Sequence, residues 1–247
     1  MPQEDGGQHA PPHSEQSSLL DFFIDSTPPC PTMKKVVTLI GSCILWGWAL
    51  APCASATADI EVVSWMWYKG DYDTYYVVGE VQNVGDSSAE FVMIVATLYD
   101  AADQVVDTDF TFAYLDVIAP GERSPFKCAL WDLPAVPQRC RIQWEWREST
   151  RLPERLVTVP SIRGYYDSDY DAFKVVGEVS NGSGYTVEFV QIIVTCYDED
   201  GDVVSCDFTF STLDTIRPGG TSPFDTWISD FASRVKKYRY IVQYRRE

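Results

Sequence analysis

Alternation of apolar and polar positions with a period of two runs through most of the chain. From Arg139 to Arg147, Cys140, Ile142, Trp144 and Trp146 fall on one face and charged or amide side chains on the other. Val92, Ile94, Ala96 and Leu98 make a second stripe; Val106, Thr108, Phe110 and Phe112 make a third. Successive side chains of a strand point to opposite faces, so the pattern predicts antiparallel strands with one buried side. Turn residues separate the runs: Asn83-Val-Gly-Asp86, Pro120-Gly121, and Asp198-Glu-Asp-Gly-Asp202, in which Gly201 is free to take positive φ. No segment carries the 3.6-residue period of a long helix.

The pattern occurs twice. Val77-Val-Gly-Glu-Val-Gln-Asn83 is matched by Val175-Val-Gly-Glu-Val-Ser-Asn181, an offset of 98 residues. Residues 77–126 aligned on 175–224 without a gap share 27 identities in 50 positions, which marks a duplicated domain. A period of 98 exceeds the ~20–50 residues of solenoid units, so each copy is expected to hold its own core. Short strands with turns every 8–12 residues predict an all-β chain of two tandem Ig-like antiparallel β-sandwich domains, 59–150 and 151–247. The junction 148–154 is short and polar, which predicts close neighbours with limited freedom.

Residues 33–58 read as a secretory signal. Met33-Lys-Lys is followed by an apolar run from Val36 to Leu50 and a small-residue tail, with cleavage expected after Ala56 or Ala58. The run is shorter than the ~20 residues of a membrane span and Pro52 interrupts its end, so no stable membrane insertion is expected after cleavage. Translation is expected to start at Met33. Residues 1–32 are then either mis-annotated or a disordered extension lost with the signal. Together these imply a secreted or periplasmic protein.

Charge narrows the function classes. The net charge is −17, of which residues 59–247 carry −14, a field that repels nucleic acid and anionic lipid. Both histidines, His9 and His13, precede the signal, so the domains lack the usual general base at neutral pH and the usual zinc ligand. No catalytic set, no metal site and no cofactor are expected. Four cysteines remain after the signal: Cys128, Cys140, Cys196 and Cys206. An even number in an exported chain predicts disulfides. Parity along the strands predicts Cys128–Cys140 and Cys196–Cys206, one per domain.

Gly79-Glu-Val-Gln-Asn83, Leu98-Tyr-Asp100, Val105-Val106, Ile118-Ala-Pro-Gly121 and Ser124-Pro-Phe126, with their counterparts in the second copy, resemble the bacterial FxLYD domain. Ala96 and Val194 stand where that family has its Phe, and Cys196 where it has its Leu. The resemblance implies an Ig-like module of exported or envelope proteins with no established activity and no catalytic residues to carry over.

Two sharper readings stand against plain packing. Asp198, Asp200 and Asp202 around Gly201 could ligate calcium, though the first copy keeps only Asp100 and Asp103 there. Trp65, Trp67, Tyr68 and Tyr72 could face a sugar ring, though Trp65 and Trp67 share a face and suit a core. The leading expectation is a non-catalytic binding or scaffolding module with a protein or envelope partner, held through sandwich edges and loops. A carbohydrate- or calcium-dependent adhesion module is the alternative.

Overall fold

Each copy of the repeat folds as seven antiparallel strands in two facing sheets. A computed structural model describes residues 56–247; the extension and most of the signal segment lie outside the described residues. In the first repeat β1 (Ile60–Lys69), β2 (Tyr75–Asn83) and β6 (Arg123–Leu130) form one sheet. The other is built on β3 (Ser88–Tyr99), which pairs with β4 (Val105–Phe112), β5 (Val117–Ile118) and β7 (Arg139–Ser149). The second repeat repeats the plan. There β8 (Val157–Asp167), β9 (Ala172–Asn181) and β13 (Thr221–Ile228) form the three-stranded sheet. Its partner sheet sets β10 (Val187–Tyr197) against β11 (Val203–Phe210), β12 (Thr215–Ile216) and β14 (Lys237–Arg246). The fold is an all-β antiparallel sandwich, as the alternation predicts.

The residues shared by both copies are clamps of this fold. Gly79 pairs with Phe126, and Gly177 with Phe224. A Cβ on Gly79 would come within 2.6 Å of the Phe126 ring and 2.7 Å of the Ser64 carbonyl; on Gly177 it would meet Ser161 and Phe224 as closely. The missing side chain lets the Phe ring lie flat in the core, where burial of such a ring contributes roughly 1.5–3 kcal/mol. Asn83 is buried and donates through Nδ2 to the carbonyls of Ser87 and Ile118, both at 2.8 Å; Asn181 does the same to Tyr185 and Ile216. The main-chain carbonyl of each Asn in turn accepts the N–H of Gly121 or Gly219, whose positive φ (79° and 72°) the Pro-Gly turn requires.

Two cores result, one around Val77, Ile94, Leu98 and Phe126, the other around Val175, Ile192, Val194 and Phe224. A third apolar cluster lies between the repeats. The junction is tied down as well: Arg155 grips Glu122 with two charge-assisted bonds, at 3.0 and 2.9 Å. Both repeats accordingly belong to one compact unit.

Candidate binding face

A bulge decides which way the second hairpin strand faces. Leu98 pairs with Asp107 but Tyr99 with Val105; in the second repeat Cys196 pairs with Ser205 but Tyr197 with Val203. One extra residue turns every side chain beyond it to the other face of the sheet. Val106 still reaches the core, but the rest of the third stripe does not. Phe110 and Phe112, opposite Val95 and Met93, point outward and are 55% and 46% exposed. Asp107 and Asp109 take the core-side positions at the sheet edge. Their carboxylates accept the N–H groups of Thr108 (2.8 Å) and Phe110 (2.7 Å), so two donors of this edge strand are already occupied. Inward charge and capped donors both blunt an edge against further strands.

The same bulge corrects the expected Cys196–Cys206 pairing. Cys206 lies opposite Thr195, and Cys196 opposite Ser205, so the two thiols are on opposite faces. Cys196 belongs to the second core and Cys206 to the cluster between the repeats, where its Sγ lies 3.4 Å from the carbonyl of Phe126. Cys128 and Cys140 both face the first core, from opposite sheets, and the expected bond between them is not formed either. All four are thiols. Burial pushes Cys128, Cys140 and Cys196 up to about 12 and Cys206 beyond that, which leaves no thiolate near neutral pH.

The four candidate aromatics are not brought together. Trp65 sits over Gly79, and Trp67 packs on the first core with its ring stacked on Tyr75. Tyr68 turns to the other side of β1, its ring 4.7 Å from Phe231 of the second repeat. Tyr72 stands fully exposed in a tight turn at φ 55°. The acidic turn is engaged internally: Asp198 accepts the N–H of Asp202 and pairs with Arg234 at 3.1 Å, while Asp202 accepts the hydroxyl of Ser64. Among the described residues no group of three or more His, Cys, Asp or Glu is placed to hold a metal.

Contact between the repeats joins two outer faces. Val78 and Tyr68, on the outer side of the β1-β2-β6 sheet, pack with Tyr197, Val203 and Cys206 on the outer side of the sheet built on β10. Several polar groups at this contact are matched, while the buried Tyr68 hydroxyl has no hydrogen-bond partner among the described residues. Tyr197 donates to the buried carboxylate of Glu80 at 2.6 Å, and Arg123 reaches the other oxygen at 3.3 Å. Lys127 pairs with Asp230, and Ser64 accepts the N–H of Val203. Gln243 bridges to the backbone of Tyr114 and Asp116. Burial and the Glu80 carboxylate raise the Tyr197 hydroxyl well above the ordinary tyrosine range, so it stays a donor.

The corresponding face of the first repeat is uncovered. Val95, Thr97 and Tyr99 occupy the positions of Ile193, Thr195 and Tyr197, which the contact buries, yet here they are only half-buried. Around them Val105, Phe110, Phe112 and Phe91 are exposed. Phe91 is held at φ 52° beneath the Arg147 guanidinium, and its counterpart Phe189 at φ 48° beneath Arg245. A non-glycine residue at positive φ stores strain that only a fixed surrounding maintains. Between Phe91, Phe112 and Leu115 lies a cleft of about 420 Å³, and between Phe189, Phe210 and Leu213 one of about 540 Å³. The sequence offered none of these residues as a binding site, since alternation assigns Phe110 and Phe112 to a buried stripe and the motif reads Tyr99 and Val105 as packing positions.

No family model matches the chain. An uncharacterized protein of Methanocaldococcus jannaschii is 35% identical over 77 residues, which is 31% of this chain and 56% of that relative's length. Among solved structures, a red sea bream transglutaminase aligns with 78% of this chain and 29% of its own, at 11% identity and a TM-score of 0.24, too distant a likeness to assign even the fold.

Proposed function

We propose that the chain is a non-catalytic, exported binding or scaffolding module of the FxLYD type, acting through the outer face of the β4-β3-β7 sheet. The carrying observation is a contrast at four equivalent positions: Ile193, Thr195, Tyr197 and Val203 are buried at the contact between the repeats, whereas Val95, Thr97 and Tyr99 are half-buried and Val105 is exposed, beside aromatics that are exposed on both faces. A contiguous apolar patch on a soluble domain commonly marks an interaction site. The face is a better candidate than the β4 edge, two of whose N–H groups are already taken by Asp107 and Asp109. Chemistry is the weaker reading, since burial holds all four thiols protonated and the described residues include no histidine. The FxLYD assignment rests on the motif positions, which act here as turn and packing clamps.

A photo-crosslinking residue at Phe110, in the presence of envelope components, tests the face. A discrete product at Phe110 that is absent from the same probe at Leu152, an exposed junction residue, and is lost on adding Val95→Asp supports it. Identical products from both positions would remove it.

A further inference from the structure

The repeats meet through unlike faces, so their contact is head to tail. The outer side of β1-β2-β6 in the first repeat packs on the outer side of the β10 sheet in the second. A heterologous contact of this kind leaves one unused face at each end. Here those are the outer side of β4-β3-β7 and the outer side of β8-β9-β13.

Both unused faces keep part of the set that makes the internal contact, although Thr221, Thr212, Thr108 and Glu145 replace Arg123, Tyr114, Cys206 and Gln243. Tyr99 holds the position of Tyr197, and strand register places Ser161, Val176 and Glu178 where Ser64, Val78 and Glu80 stand. The Glu80–Tyr197 bond therefore has an unpaired duplicate, with Tyr99 at one end of the chain and an exposed Glu178 at the other. Charge agrees at a second point. Asp198 is paired with Arg234 of its own repeat, whereas its counterpart Asp100 has Val136 at that position and no ion pair among the described residues. Arg163 is exposed and stands where Met66 lines the Asp198 turn. It would bring a cation to the carboxylate that lacks one.

Resting on the binding-face reading above, we infer that the β4-β3-β7 face receives the β8-β9-β13 face of a second copy, in the geometry of the internal contact. Three substitutions oppose it: Glu145 cannot donate as Gln243 does, and Thr221 brings no cation to Glu178 as Arg123 does to Glu80. Third, Asp225 stands where Lys127 pairs with Asp230, and Asp132 is the counterpart of Asp230, so two carboxylates approach each other. The association is therefore weaker than the internal contact.

Sedimentation of the purified chain over a wide concentration range tests this. Mass should rise with concentration, and Asp225→Lys should tighten the association roughly tenfold by replacing a repulsion with a pair. Val95→Asp and Val176→Asp each spoil one face and should be monomeric alone, yet form a one-to-one dimer when mixed, because each keeps the face the other lacks. Unchanged melting temperatures show that both variants remain folded. A chain that stays monomeric, even as Asp225→Lys, overturns the inference, as does self-association that survives either Val variant. If it is overturned while Phe110 still crosslinks specifically to a different envelope protein, the binding-face reading stands; if that crosslink is absent too, both fall.

Discussion

Replacing Tyr197 by Phe removes one oxygen from the contact between the repeats and leaves the buried ring in place. The lost bond is short, 2.6 Å, and charge-assisted, since Glu80 is an acceptor with a side chain 2% exposed. Only Arg123, at 3.3 Å, then compensates the carboxylate. A hydrogen bond to a charged group contributes about 1.5–3 kcal/mol, and an under-satisfied buried acceptor costs a similar amount, so Tyr197→Phe should lose about 2 kcal/mol. The duplication supplies a control: Tyr99 is the equivalent residue, but its hydroxyl meets no carboxylate among the described residues. Tyr99→Phe should change stability by less than about 0.5 kcal/mol. Urea denaturation followed by tryptophan fluorescence measures both, with an unchanged slope expected for each. Equal losses for the two variants would refute the reasoning, because the difference between them is only the partner.

Thiol reactivity tests the corrected cysteine assignment: the native protein should react slowly with a disulfide reagent at neutral pH and yield four thiols on unfolding, and a Cys196–Cys206 bridge in a non-reducing digest would contradict the bulge. Gly79→Ala forces a Cβ against Phe126 and should destabilise by about 1–3 kcal/mol in a thermal melt. Asp207 is held above the ordinary carboxylate range by desolvation, so the folded state binds its proton more tightly than the unfolded one, and stability falls as pH rises through that raised value. Asp207→Asn should therefore stabilise the protein at pH 7, with the gain disappearing at pH values below the unfolded aspartate range; an equal effect at both would show that packing, not charge, is responsible. Ala58 is buried in the first core and Thr57 bonds to Asp86, so under the proposed export the mature chain should begin at Thr57, with cleavage after Ala56; N-terminal sequencing of material from an exporting host decides between that, cleavage after Ala58 and no cleavage.

Strands, repeat and core were legible because they depend on local rules. Alternation shows in a run such as Arg139–Arg147, and Ile142 is indeed buried opposite Ala96. The shared Gly, Asn and Pro-Gly positions mark turns and close approaches that only those residues satisfy. Parity, however, holds only while the ladder is unbroken. Nothing in Tyr99 or Tyr197 announces the extra residue opposite it, and that residue alone sends Phe110, Phe112 and Cys206 outward. Pairing across the repeats was equally hidden, since Glu80 and Glu178 read identically in the two motifs. Glu80 is buried against Tyr197 while Glu178 is exposed, because only one of the two sheets has a neighbour to cover it. Local chemistry thus determined what each repeat is, and the packing of one repeat on the other determined which of its faces remain open.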